Sequence, residues 1–209
     1  MKDGEAKWPN GQRQRRAGHG FSMVELLVAI FVIFIVSAIA IIQLGPVLQN
    51  YRSDAAMREV LDQLRQAREY SIARRQYVQV TFPVVGGQYQ VVTTQRNDLK
   101  PGAGAAVVLS TVPIERPVQF LLAGMPDTPD NFGNAAAIEF GGNAGGPPLG
   151  MLFQSDGELV DGGTYLPVNG SVFLAAPGQP PSTARAITVL GSTGRVRAWK
   201  SSGSGWVQF

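Results

Sequence analysis

The sequence predicts an α+β fold, in which a long N-terminal helix packs on an antiparallel β-sandwich head. Two observations predict it. Apolar residues run almost without interruption over residues 21–44 and then recur at helical spacing as far as residue 76. From residue 77 onward, short runs alternate apolar and polar residues with period two, and glycines separate the runs. A helical half followed by a strand-rich half is typical of this fold class.

The composition narrows the class of protein. With 44% hydrophobic and only 16% charged residues, the chain is too apolar to be disordered. Because there is no cysteine, disulfides, thiolate metal sites and a cysteine nucleophile are excluded. The formal charge of +3 would favour an anionic partner, but five basic and two acidic residues lie within residues 1–20. The remaining chain is formally neutral, so its bulk charge does not support a nucleic-acid partner.

The first apolar segment predicts a membrane-spanning helix. Within residues 26–42 the only polar residue is Ser37. About 24 residues, 21–44, form roughly 36 Å of helix, enough to cross a hydrocarbon core of about 30 Å. The basic residues before it predict a cytoplasmic N-terminus, with the rest of the chain across the membrane. A secretory signal peptide fits less well, because the run is too long and no cleavage site of small residues follows it.

Glu25 lies inside this apolar segment. A carboxylate within a membrane helix costs about 2.5–3.5 kcal/mol on insertion scales, so it indicates a functional role by default. The alternative is that Glu25 extends to the cytoplasmic interface and is solvated there. Either way, its position next to the start of the apolar run is the most specific polar feature of this segment.

The run of residues 20–30, Gly-Phe-Ser-Met-Val-Glu-Leu-Leu-Val-Ala-Ile, resembles the type III signal of type IV pilins and of type II secretion pseudopilins. The resemblance implies that residues 1–20 are a leader, that prepilin peptidase cuts after Gly20, and that it methylates the new amine of Phe21. It also implies that Glu25 pairs in a filament with the terminal ammonium of a neighbouring subunit. An inner-membrane assembly platform and other pilins or pseudopilins would then be its partners.

The pattern departs from the major pilins at one point. Ile42 stands where major pilins usually have a proline, and Gly45-Pro46 follows slightly later. Because proline removes a backbone donor, this pair predicts a break or kink near Leu44. A second, amphipathic helix is expected over residues 45–76, so that helix and head together would resemble a lollipop.

Helical spacing of apolar residues supports this second helix. Six arginines and four acidic residues occupy its other positions, so a solvated face is favoured over a nucleic-acid stripe. The apolar face is predicted to contain Leu48, Tyr51, Ala55, Leu61, Leu64, Ala67 and Ile72.

Eight short strands are predicted in the head, residues 77–209. Residues 97–150 are rich in glycine, proline and alanine and are predicted to form a long, mostly irregular insertion. The strands are 77–82, 88–94, 117–121, 137–140, 151–154, 171–175, 186–190 and 195–199.

Three further segments resemble the GspH/FimT family of minor pilins and pseudopilins. They are the helix-to-strand sequence 64–80, Phe153-Gln-Ser-Asp-Gly157, and Ile187-Thr-Val with Gly194-Arg-Val-Arg197. The resemblance implies a low-abundance subunit at or near the tip of a pilus or pseudopilus, with a periplasmic β-sandwich head.

No catalytic constellation is found, and neither an enzyme nor a cofactor is predicted. His19 is the only histidine, so a Ser-His-Asp triad and histidine-metal sites are excluded from the mature chain. No phosphate-binding P-loop sequence is present. Asp156, Glu158 and Asp161 could offer oxygen ligands to Ca²⁺, but their spacing matches no EF-hand, and turn formation between two strands is favoured.

The last predicted strand carries the one candidate binding surface. On a strand, Arg195, Arg197 and Trp199 would share a face, and with Lys200 they could hold phosphates and stack a base. The resemblance to FimT-like pilins implies that Arg195 and Arg197 contact DNA. The alternative is an edge strand whose arginines provide solubility and deter pairing.

Two functions therefore stay open. The first is a minor pseudopilin of a type II secretion system, a structural subunit that takes part in protein secretion across the outer membrane and could meet a secreted effector. The second is a FimT-like minor pilin that binds DNA during uptake and natural transformation.

Overall fold

A computed structural model describes residues 21–99, 104–141, 143–144 and 150–209. The predicted leader, residues 1–20, therefore lies outside the described residues, as do parts of the predicted insertion. The chain divides into two compact units, Met1–Leu44 and Gly45–Phe209. Each is described by itself below.

The helix α1 covers Met23–Arg74 and begins in the first unit. From Phe21 to Ala40 every side chain is exposed, although nearly all of them are apolar. The stretch Met23–Ala40 is long and apolar enough to cross a membrane. Among the described residues of this unit nothing covers this surface, which is the expected state of a helix that lies in lipid or among the helices of a filament.

The expected break near Leu44 is not present. The backbone stays helical through Gly45 and Pro46 without interruption. Pro46 still lacks the N–H that would donate to the carbonyl of Ile42, but the surrounding turns keep their own bonds. A single missing bond is tolerated where neighbouring turns hold the backbone, and for that reason the proline does not end the helix.

In the second unit, one face of α1 is buried in the head. The buried positions follow three- and four-residue spacing, which confirms an amphipathic helix. The predicted face was only partly right, because Leu48, Tyr51, Ala55 and Ile72 are exposed. The buried apolar residues are Ala56, Met57, Val60, Leu61, Leu64 and Ala67. The helix ends where Arg75 adopts a left-handed conformation with φ 52°, and the Gln76 N–H returns to the Ser71 carbonyl.

Thirteen strands are assigned to the described part of the head, and the eight predicted strands are among them. In chain order they are β1 Val78–Thr81, β2 Val84–Val85, β3 Gln88–Gln95, β4 Val107–Pro113, β5 Gln119–Phe120, β6 Ile138–Phe140, β7 Asn143–Ala144, β8 Met151–Phe153, β9 Leu159–Val160, β10 Gly170–Ala175, β11 Arg185–Leu190, β12 Arg195–Ser201 and β13 Trp206–Gln208.

The strands form two antiparallel sheets. The first has the order β2-β3-β1-β8-β9, with β4 also paired to β3. The second has the order β13-β12-β11-β10-β6-β7, with β5 also paired to β10. One apolar core joins both sheets and the helix: Val78, Val80 and Phe153 from the first sheet meet Val172 and Ile187 from the second. The α+β class, with a helix packed on antiparallel sheets, is thereby confirmed.

The prediction of an irregular insertion over residues 97–150 was wrong for part of it. Val107–Pro113 is a regular seven-residue strand at the side of β3. Its apolar residues are exposed, apart from the half-buried Val112, rather than alternating between core and solvent. Without that alternation, the period-two signal of a half-buried strand is missing from the sequence.

Candidate functional site

Two residues of the predicted processing signal lie at the start of the described residues. Phe21 is 79% exposed, and Glu25 lies in the first turn of α1, where a negative charge interacts favourably with the helix dipole. Gly20, the predicted cleavage residue, lies outside the described residues. The four-residue spacing between Phe21 and Glu25 places the acid about one turn from the predicted mature terminus.

The second candidate site, the face of β12, is not assembled as predicted. Trp199 is only 6% exposed and packs with Phe173 and Ala186. Its indole Nε1 donates to Thr188 Oγ1 at 2.9 Å. A ring that is buried and hydrogen-bonded within the head presents no free face to a base. The prediction that Trp199 forms part of a stacking platform is therefore wrong. Alternation along the strand predicted the correct face, but another segment of the head covers that face.

Arg197 shares that face and is held by a carboxylate. Its guanidinium pairs with Asp130, and the second oxygen of Asp130 accepts from Thr188 Oγ1 at 2.6 Å. The segment containing Asp130 lies across the outer face of the second sheet, where Met125 contacts Ala175 and Trp206 Nε1 donates to the Pro126 carbonyl. Arg197 is thus part of the contact that fastens this segment to the sheet.

Lys200 belongs to a different cluster. Its Nζ lies 3.5 Å from Asp54 Oδ2 on the helix. The same carboxylate accepts from Arg185 Nε at 2.5 Å, and the Arg185 side chain is fully buried. Arg185 also donates to Asn50 Oδ1 and to two backbone carbonyls, so its buried charge is matched by several acceptors. No local sequence pattern predicts this pair, because its members lie 131 residues apart.

Arg195 lies in a separate cleft of about 550 Å³. Arg65, Arg68 and Glu69 of the helix line the opposite wall. Arg68 Nε donates to the Thr193 carbonyl at 3.0 Å. The charge pattern of the helix predicts a solvated face for Arg65 and Arg68 and does not connect them with Arg195. Their three-residue spacing puts both on one side of the helix, but only the fold brings that side to β12.

The acidic turn has a structural explanation. Asp156 Oδ1 accepts from the Glu158 N–H, and Asp161 Oδ1 accepts from the N–H groups of Gly163 and Thr164. These are the bonds by which aspartates stabilise turns. Among the described residues, no group of three or more acidic or histidine side chains is placed to hold a metal ion. The Ca²⁺ alternative has no support from this arrangement.

Comparison with known proteins places one segment in a known class. Residues 15–41 match the model of the prokaryotic N-terminal methylation motif. Neither the curated proteins nor the solved structures gave a match. The matched segment includes the predicted cleavage residue Gly20, Phe21 and Glu25. Together with the exposed apolar helix, it indicates membrane anchoring and a protein similar to type IV pilins and pseudopilins.

Proposed function

We propose that this chain is a minor pseudopilin of a type II secretion system and a subunit of its pseudopilus. The observation that carries the proposal is the methylation motif at residues 15–41, followed by a helix whose apolar side chains are all exposed from Val24 to Ala40. Such a surface needs lipid or other helices around it. Processing by prepilin peptidase and assembly with other pilin-like subunits are consistent with this surface.

The proposed topology is that of a single-pass inner-membrane protein with a cytoplasmic N-terminus. Five basic residues precede the apolar helix, and Arg52 is the next basic residue after it. This asymmetry favours retention of the N-terminal side in the cytoplasm and a periplasmic head. After cleavage at Gly20, the methylated Phe21 would begin the mature chain, and an inner-membrane platform would insert it into the filament.

Glu25 is proposed to pair with the terminal ammonium of Phe21 on a neighbouring subunit. An unpaired carboxylate is costly in an apolar filament core, and an ammonium partner offsets that cost. We expect Glu25→Ala to be inserted and cleaved normally, yet to be depleted from sheared filaments. Asp62→Ala, which removes an exposed acid from the same helix, is the control and should assemble like the parent protein. Normal incorporation of Glu25→Ala would refute the pairing.

DNA binding by a FimT-like minor pilin is the second candidate, and the exposure of Arg195 beside Arg65 and Arg68 favours it. Titration of the protein with DNA at several salt concentrations tests it, because phosphate contacts make affinity fall steeply with salt. Binding should be lost in Arg195→Ala and largely kept in Arg197→Ala, whose guanidinium is already paired. Absence of salt-dependent binding, or binding unchanged in the variant that combines Arg195→Ala with Arg197→Ala, would exclude this candidate.

A further inference from the structure

The cleft between the helix and the β11–β12 hairpin concentrates unpaired positive charge. In the described part of the chain, the guanidiniums of Arg65 and Arg195 make no hydrogen bond, ion pair or ring contact. Both line this cleft. The other described arginines all have such a partner: Arg52, Arg58, Arg68, Arg74, Arg75, Arg96, Arg116, Arg185 and Arg197.

The cleft has one acid against three guanidiniums. Glu69 is the acid on its wall, and Arg68 is fixed by its bond to the Thr193 carbonyl. The guanidiniums of Arg65 and Arg195 therefore line the cleft without an ion-paired or hydrogen-bonded partner. A planar guanidinium forms two parallel bonds to a carboxylate or a phosphate, so the cleft is built for an oxyanion.

The floor of the cleft is rigid. Gly194 has φ 61°, and a Cβ at this position would lie 1.9 Å from the Gly157 carbonyl oxygen and 2.9 Å from Arg68. Gly157 in turn packs against Ile72 of the helix. Because hairpin, turn and helix meet here in direct contact, the arginines are held on fixed elements before any ligand arrives, which lowers the ordering cost of binding.

The surroundings favour a protein carboxylate over a nucleic acid. No aromatic side chain is among the described residues of the lining, so a base has nothing on which to stack. Glu69 lies within the cleft, and Asp156 and Glu158 flank Gly157 in the chain, so successive phosphates of a polyanion would meet acids. A single aspartate or glutamate side chain, by contrast, can be bound by the two unpaired guanidiniums alone.

We propose that the Arg65–Arg195 cleft docks a carboxylate side chain of a neighbouring subunit in the same filament. This rests on the proposed function, since a filament subunit has protein neighbours around its head. The charge complementarity of two unpaired guanidiniums with one carboxylate identifies the class of partner, an acidic segment of a pilin-like protein.

The test is site-specific photocrosslinking of the full chain in its own bacterium. A photoreactive residue replaces Thr193, which is exposed on the cleft, and a control replaces Ser202, which is exposed elsewhere. We expect a covalent adduct with another pilin-like subunit from position 193 only, identified by mass spectrometry. Arg195→Glu should reduce its yield at least about tenfold, because like charges would face each other. Arg52→Glu, outside the cleft, should leave it unchanged.

Replacement of the acidic residue at the crosslinked position of the partner by arginine should restore the adduct that Arg195→Glu has lost, because opposite charges would face each other again. Absence of an adduct at position 193 overturns the proposal, as does an adduct insensitive to Arg195→Glu. Salt-dependent binding of a short single-stranded oligonucleotide to the full chain in detergent, lost in Arg65→Ala with Arg195→Ala, would instead assign the cleft to nucleic acid. Methylation of Phe21 is measured in the same cells. If Phe21 is methylated but no adduct forms, the proposed docking at the cleft is wrong; if Phe21 is not methylated, the proposed function as a filament subunit is wrong.

Discussion

Arg185 carries a fully buried charge that connects the helix to β11. Its side chain reaches Asp54 and Asn50 of α1 and the carbonyls of Ser182 and Ala184. Taking a guanidinium out of water is costly, and these acceptors together with the Asp54 charge offset that cost. The network fixes where this part of the helix lies on the second sheet.

Replacement of Arg185 should therefore destabilise the head strongly. Removal of one partner of a buried pair costs about 3–5 kcal/mol, and Lys200 near Asp54 keeps the loss for Arg185→Met toward the lower value. Denaturant unfolding of the full chain in detergent measures the free energy. Arg195 is exposed and unpaired, so Arg195→Ala should change the free energy of unfolding by no more than about 0.5 kcal/mol. Equal stabilities of the two variants would contradict this account of Arg185.

The structure lowers the pKa of the Asp98 carboxyl. Arg96 donates to both of its oxygens, at 2.8 and 2.7 Å, and these bonds hold the pKa of Asp98 below its ordinary value while raising the pKa of Arg96. Because the folded-state pKa is depressed, the pair stabilises the fold above the unfolded-state pKa of about 3.9 and ceases to do so as the pH falls through the folded value.

The contribution of this pair should be small, since both side chains are accessible to solvent. We expect Arg96→Gln to raise the pKa of Asp98 toward that of a free aspartate, measured by NMR titration of its carboxyl carbon. Asp156, whose carboxylate caps a distant turn, provides the internal reference. An unchanged Asp98 titration in the variant would show that Arg96 does not control it.

At the scale of elements, a comparison of two glycines with similar backbone conformations distinguishes the cost of backbone strain from the cost of steric crowding. Gly194 and Gly178 both have positive φ, 61° and 72°. A Cβ at Gly178 meets nothing within 4 Å, whereas at Gly194 it meets the Gly157 carbonyl at 1.9 Å. We expect Gly178→Ala to cost about 1–2 kcal/mol of stability from the left-handed conformation alone. Gly194→Ala should cost about 1–3 kcal/mol more, since three elements must move apart. Similar losses would mean that this junction relaxes freely.

The segment that covers the second sheet depends on a few polar contacts. Asp130 joins Arg197 and Thr188, while Met125 supplies an apolar contact. Asp130→Ala should leave Arg197 half-buried without its partner and accelerate backbone hydrogen exchange over residues 122–133. Asp156→Ala, in a turn outside this segment, is the control. Unchanged exchange in the Asp130 variant would show that apolar packing alone holds the segment.

These elements also show what the sequence could predict. Each of the eight predicted strands contains buried apolar residues, and the amphipathic helix was predicted from its spacing. The strand β4 was missed, since none of its valines is buried in the core. The buried face of α1 was misassigned at Leu48 and Tyr51, because the polar residues Gln49 and Ser53 occupy the buried positions in this part of the helix.

The candidate site was predicted unevenly for a related reason. The roles predicted for Gly20, Phe21 and Glu25 stay a prediction from local spacing, and the segment that contains them matches the N-terminal methylation motif. Alternation correctly put Arg197 and Trp199 on one face of β12, yet the acid that pairs with Arg197 comes from 67 residues away. Likewise, the cleft brings Arg65 to Arg195 only after the helix packs on the sheet. Contacts between residues that are distant in the sequence produce no periodic pattern from which they could be predicted.

For the whole molecule, the choice of binding partner depends more on where the charges lie than on the net charge. Residues 1–20, the predicted leader, hold the entire formal excess of +3, and the remaining chain has thirteen basic and thirteen acidic residues. Among the described arginines, Arg65 and Arg195 are the two without a hydrogen-bonded, ion-paired or ring partner for the guanidinium, and both line the same cleft. Removal of the leader should thus lower the isoelectric point of the protein from about 9.4 toward neutrality, measurable by isoelectric focusing of the two forms.

The central claim is that this chain is processed and assembled as a pilin-like filament subunit. Mass spectrometry of the N-terminal peptide from the protein isolated from membranes tests it most directly. The account predicts a mature chain that begins at Phe21 with a methylated amine, and no such peptide in cells that lack prepilin peptidase. A chain that keeps residues 1–20, or is cut at another residue independently of that enzyme, would contradict it.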